Sequence, residues 1–121
     1  MTQSHPRILI VEDQYLIAMD MELMAESCGC SVIGSAGNVA DALDLVRRET
    51  PDCAFLDINL GDERVWPVAE RLRDAGVPFV LTTGYAKDDV PSAFEGYPVV
   101  SKPIALEDLR RALRTTGVEV T

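Results

Sequence analysis

The chain has 121 residues, 47% of them hydrophobic, enough for one domain to close a core without disulfides or metals. Its 11 basic and 20 acidic side chains leave a net charge of −9, which argues against direct nucleic-acid binding, where affinity comes from basic groups that neutralise phosphates. No apolar run approaches the ~20 residues of a membrane span, and Met1 to Pro6 lack the apolar core of a signal peptide, so the reading is a cytoplasmic protein with no membrane partner.

Ile8-Leu9-Ile10-Val11 is fully apolar, as expected of a parallel strand covered on both faces. A helix follows Asp13 and runs to about Ser27, with Leu16, Met19 and Leu23 at helical spacing and Gly29 as a stop. Ser31 to Gly34 reads as the second strand. Asn38 then caps a second helix that carries Val39, Leu43 and Val46 on one face, and Pro51 lies just past its end. Cys53 to Leu56 is the third strand. A loop at Gly61-Asp62 leads into a third helix, with Trp66 packing at its start and an end near Ala75-Gly76; Pro78 to Thr82 is the fourth strand. Lys87 to Glu95 makes a weak fourth helix, because Pro91 removes a backbone donor and crowds the preceding turn. Tyr97 to Val100 is a short fifth strand. Ile104 to Arg114 is the last helix, with Leu106, Leu109 and Leu113 inward and Arg110, Arg111 and Arg114 outward.

This alternation spells (βα)5, a doubly wound, flavodoxin-like parallel sheet with right-handed crossovers. In the order 2-1-3-4-5, ligands bind beyond the carboxyl ends of strands one and three. Glu12-Asp13, Asp57, Thr82-Thr83-Gly84 and Ser101-Lys102-Pro103 stand at the strand ends, and their carboxylates cannot all ionise at close range without a cation. A hard ion such as Mg²⁺ suits such an all-oxygen donor set, and leaves Asp57 as a carboxylate nucleophile toward phosphorus. Lys102 can meet the developing charge, and the Thr83 hydroxyl can donate to a phosphoryl oxygen. The three cysteines, Cys28, Cys30 and Cys53, lack zinc-site spacing and read as reduced packing residues, while the one histidine, His5, falls in a leader outside the fold. Any phosphoryl group must therefore come from another molecule.

The runs Ile8 to Asp13, Phe55-Leu56-Asp57-Ile58-Asn59-Leu60, Leu81-Thr82-Thr83-Gly84-Tyr85 and Val100-Ser101-Lys102-Pro103 resemble the receiver domains of two-component response regulators. The resemblance implies a leader at 1–6, a receiver domain at 7–116 and a tail at 117–121. It implies that Asp57 accepts phosphate from a phosphohistidine on a sensor histidine kinase or phosphotransfer protein. Mg²⁺ is then held by Asp13, Asp57 and the backbone carbonyl of Asn59, with Glu12 assisting through water. Thr83 is the switch hydroxyl, Lys102 the phosphate partner, and Lys102-Pro103 a cis bond.

The departures from the common pattern are Val99, where most receivers place an aromatic switch residue, and Gly84 and Gly61, where alanine and proline are usual. The Thr-Gly-Tyr segment is similar to the FAT GUY subgroup, which implies Tyr85 as the readout. The expected function is a switch, not an enzyme beyond its own phosphorylation and dephosphorylation. With no room for an output domain after the last helix, it passes its signal by contact to a downstream protein target. The basic stripe of the last helix offers a homodimer contact. The rivals are a degenerate receiver acting as a phosphorylation-independent scaffold, a phosphoaspartyl hydrolase, and a flavin carrier, whose phosphate Glu12 and Asp13 would repel.

Overall fold

The computed structural model describes residues 5–84 and 90–121. In chain order it comprises β1 (Arg7–Val11), α1 (Tyr15–Ser27), β2 (Ser31–Ala36), α2 (Val39–Arg48), β3 (Cys53–Asp57), β4 (Asn59–Leu60), β5 (Glu63–Arg64), α3 (Trp66–Asp74), β6 (Phe79–Thr83), β7 (Val99–Ser101) and α4 (Leu106–Thr115). Five strands form one parallel sheet in the order β2-β1-β3-β6-β7, while β4 and β5 pair separately as a small antiparallel hairpin. Setting that hairpin aside, this is the expected 2-1-3-4-5 order, with the switch point between β1 and β3.

The apolar strands divide their side chains by pleat between two cores. Leu9, Val11, Ala54, Leu56, Phe79 and Leu81 pack toward α2 and α3, and Ile8, Ile10, Phe55 and Val80 toward α1 and α4. Each of the Val, Leu, Ile and Phe side chains among them, fully removed from water, contributes roughly 1.5–3 kcal/mol. Cys28, Cys30 and Cys53 are buried and free, and burial pushes the Cys30 and Cys53 thiols up to about 11, which keeps them protonated as packing residues.

Asn38 caps α2 as expected, its side chain accepting from Asp41 N–H at 2.8 Å. On α1 the expected stripe is turned outward. Ala18, Met21 and Ala25 are buried, whereas Leu16 and Leu23 are 77% and 61% exposed. The buried set has the same three-then-four spacing as Leu16, Met19 and Leu23, and its two alanines let the helix lie close to the sheet. Leu106 is likewise exposed rather than inward, because the α4 seam runs through Leu109, Ala112 and Leu113. Arg110 is not simply outward either, since its guanidinium pairs with Glu107 and donates to the Thr121 carbonyl at 3.0 Å.

Four α-helices, not five, stand among the described residues. Where the fourth helix was expected there is a single 3₁₀ turn, Ser92–Phe94, entered through Pro91 in extended backbone; residues 87–89 lie outside the described residues. An aromatic stack organises this corner. Trp66 lies 5.3 Å from Phe94, and Phe79 lies 3.9 Å from Tyr97, which packs before β7 rather than within it.

The ends at 5–6 and 117–121 are tied down. Ser31 N–H donates to the Pro6 carbonyl at 2.8 Å, and the His5 ring meets the Gly29 carbonyl at 3.0 Å. Val118 and Val120 pack on the core, and Thr121 N–H donates to the Cys28 carbonyl at 2.8 Å. No helix among the described residues is long and apolar enough to cross a membrane.

Candidate functional site

Asp57 ends the central strand β3, flanked by β1 and β6, and is only 3% exposed. Glu12 directly follows β1; its N–H donates to the Ala36 carbonyl at 2.9 Å, which extends the β1–β2 ladder by one residue and fixes the backbone of this buried acid. Asp13, next along, is exposed. Lys102 is delivered the same way, its N–H donating to the Thr83 carbonyl at 2.8 Å beyond the end of β7. The cis Lys102-Pro103 bond is present as expected.

The sheet thus brings the distant groups together. Lys102 Nζ donates to Asp57 Oδ2 at 2.9 Å and stands 2.6 Å from Glu12 Oε1, a close ion pair off the aligned hydrogen-bond direction. Gln14 N–H donates to the other Glu12 oxygen at 3.0 Å. Burial raises the Glu12 carboxyl above its ordinary range, outweighing Lys102 and Gln14, and the nearby Asp57 charge pushes the same way. For Lys102, burial works against the charge, but the close contacts and negative charges of Glu12 and Asp57 prevail and raise its pKa. Lys102 is therefore a fixed cation shared by two buried acids.

Carboxylate oxygens of Glu12, Asp13 and Asp57 lie within 4.8 Å of one another. Three acids facing one ammonium leave uncompensated negative charge, and the donor set holds oxygen without nitrogen or sulfur. Such a site fits a hard divalent cation. A cleft of about 350 Å³ opens over Asp13, Asp57, Asn59, Gly61, Gly84 and Lys102, and Asn59 N–H donates to Asp57 Oδ1 at 3.4 Å. Thr83 is buried at the end of β6, in register with Ser101. Tyr85 lies outside the described residues. A larger cavity, about 590 Å³, lies at the opposite end of the strands beside Pro6, Asp52 and Pro78, away from these groups.

The β4–β5 hairpin was not foreseen. It carries Asn59 and Gly61 to the rim and sends the Glu63 carboxylate to the start of α2, where it accepts from Val39 N–H at 3.2 Å. The Gly61-Asp62 turn was its one local signal, and two-residue strands show no alternation to read.

The family model for the response regulator receiver domain matches residues 8–114. The chain belongs to that family. This receiver domain is 32% identical to a probable transcriptional regulatory protein, TcrX, of Mycobacterium tuberculosis, over 92% of the chain and 51% of that protein. It spans about half the length of the curated relatives it matches. Among solved structures it is 40% identical to SdrG from Sphingomonas melonis Fr1, with a TM-score of 0.85, covering 97% of this chain and 100% of that one. The BeF3-activated conformation of SdrG, described as from Pseudomonas melonis Fr1, gives 41% identity and a TM-score of 0.77, covering 93% and 97%.

Proposed function

We propose that this receiver domain is a phosphorylation switch in which Asp57 takes a phosphoryl group from a phosphohistidine of a sensor histidine kinase or phosphotransfer protein. The observation that carries the reading is the Lys102 ammonium held between Asp57 and Glu12 at the rim of the cleft. An Asp57 carboxylate oxygen bonds to phosphorus as the phosphorus–nitrogen bond to the donor breaks, and the bond's electron pair returns to the departing imidazole. Lys102 then faces phosphoryl oxygens, and the Thr83 hydroxyl donates to one of them. Such a transfer asks the protein chiefly for positioning and charge neutralisation.

Asp13, Asp57 and the Asn59 carbonyl are the residues that would hold Mg²⁺, with Glu12 assisting through water. When bound, the ion supplies positive charge against the phosphoryl oxygens. Glu12 and Lys102, already paired, keep the buried end of the site electrically fixed while the exposed Asp13 leaves its outer side open.

The donor has a docking surface beside the cleft. Tyr15, Leu16, Met19 and Leu23 are 76%, 77%, 42% and 61% exposed on α1, which begins three residues after Glu12. An apolar patch of this kind bordering a polar site suits an apolar helical face on the phosphohistidine protein. Phosphorylation then shifts an existing equilibrium in the Thr83 loop, with Tyr85 as the readout, and the signal passes by contact to a downstream protein in the cytoplasm.

Intact mass after incubation with acetyl phosphate tests the chemistry. The expected result is one phosphoryl adduct on the native chain, dependent on Mg²⁺ and absent in Asp57→Asn, with shifted Tyr85 ring resonances in the phosphorylated form. A folded chain that takes no adduct sinks the reading in favour of a scaffold. Steady turnover of phosphomonoesters favours a hydrolase.

A further inference from the structure

The hairpin that follows Asp57 is too short to stand alone. β4 and β5 contribute two residues each, pairing Asn59 with Arg64 and Leu60 with Glu63, and an isolated two-stranded ribbon is marginal in water. Its base is anchored: Ile58, Leu60 and Val65 are buried in the core under α2 and α3, and Val65 N–H donates to the Ile58 carbonyl at 3.1 Å. Its tip, from Gly61 to Arg64, is exposed. Gly61 has φ +65, where side chains are strained, and a Cβ added there would stand 3.9 Å from Asp13 Oδ2. The tip therefore runs alongside the acids of the site.

A side chain ties this tip to another element. Glu63 Oε1 accepts from the N–H of Val39, the first residue of α2 and 24 residues earlier in the chain. First-turn N–H groups have no partner within their helix, and the helix start favours a negative charge. Asn38 serves the Asp41 N–H of that turn. The Val39 N–H is left for an acceptor from elsewhere, and the hairpin supplies it.

We propose that Glu63 is a positioning residue for the metal site: by latching the hairpin tip to the start of α2, it holds β4 so that the Asn59 carbonyl stays beside Asp57 and Asp13. The inference rests on the reading of Asn59 as a metal ligand. Glu63 acts through Leu60, its cross-strand partner, and the adjoining Asn59.

Calorimetric titration of the full chain with Mg²⁺ tests the latch in the native protein, Glu63→Ala, Glu63→Gln, Val39→Pro and the Glu63→Ala/Val39→Pro double variant. Val39→Pro deletes the donor itself. Proline is tolerated at a first helical position, and Asn38 already has the extended backbone (φ −151, ψ 167) that a residue before proline requires. The expected result is Mg²⁺ affinity about three-fold weaker in each of Glu63→Ala and Val39→Pro, the scale of one exposed hydrogen bond lost. The double variant should be no weaker than either single one, and Glu63→Gln, which keeps the acceptor, should retain part of the affinity. Native affinity in both single variants overturns the latch, including the case where their melting temperatures fall. Additive losses in the double variant overturn it too. A native chain that binds no Mg²⁺ overturns instead the reading of the acids as a metal site.

Discussion

Helices α1 and α2 pack on opposite faces of the sheet beside the same strand and dispose of their apolar residues in opposite ways. On α2, Val39, Leu43 and Val46 turn inward, and Asp44 on the outer side pairs with Arg48 at 2.8 Å. On α1, two alanines and Met21 suffice for the core, and larger apolar side chains are left in water. Those exposed side chains add little to the core, and in the proposed reading they form the patch that a phosphohistidine protein covers. α2 is a structural wall, whereas α1, in the proposed reading, is a wall with a second, outward-facing use.

Charges placed on the two helices break this comparison if it is wrong. Val46→Asp, at 3% exposure, should cost on the order of 3 kcal/mol in urea unfolding, because it buries a carboxylate with no partner. Leu16→Glu combined with Leu23→Glu should leave stability within about 0.5 kcal/mol of native. The same double change should slow phosphotransfer from the partner kinase about tenfold, the effect of losing a docking contact, while acetyl phosphate labelling stays at the native rate. Equal slowing with both donors would mean the substitutions had disturbed the site and not a docking face.

Glu12, at the root of α1, sharpens the contrast with a smaller effect. Its carboxyl is raised above the ordinary range, so the folded chain holds its proton to higher pH than the unfolded chain does. Its contribution to stability is therefore greatest below about pH 4.5 and declines as pH rises through the raised value. Glu12→Gln carries no such titration. In the absence of divalent metal the variant should gain on the native protein as pH increases through that window, followed by urea titrations at matched ionic strength. A native-minus-variant difference that is flat with pH would show that Lys102 fully compensates the buried acid.

Much of the fold and the heart of the site could be read before any coordinates. Ile8 to Val11 and Cys53 to Leu56 are apolar on both faces, as a covered parallel strand requires, and Glu12 and Asp57 directly follow these two runs. What failed did so for physical reasons. On α1, Leu16, Met19 and Leu23 share their periodicity with Ala18, Met21 and Ala25, and period alone cannot tell which face is covered when both are apolar. Leu106 and Arg110 were misjudged because the α4 seam turns through Ala112 and the segment to Thr121 folds back over the helix. The Glu63–Val39 contact joins residues too far apart for any local pattern to show it. Pro91 weakens the expected fourth helix further than the sequence alone indicates, since only the 3₁₀ turn Ser92–Phe94 stands among the described residues there, and the aromatic stack around Phe94 is a tertiary feature.

The chain has a single tryptophan, and that residue is the one stacked on Phe94. It opens α3 immediately after the hairpin and faces the turn that replaces the fourth helix. Its fluorescence emission therefore comes from one known place, between the segment that carries Asn59 and the segment that leads to β7. Rearrangement on either side alters the ring's solvent contact and quenching, so the native protein is its own optical reporter, and millisecond stopped-flow traces of it need no dye.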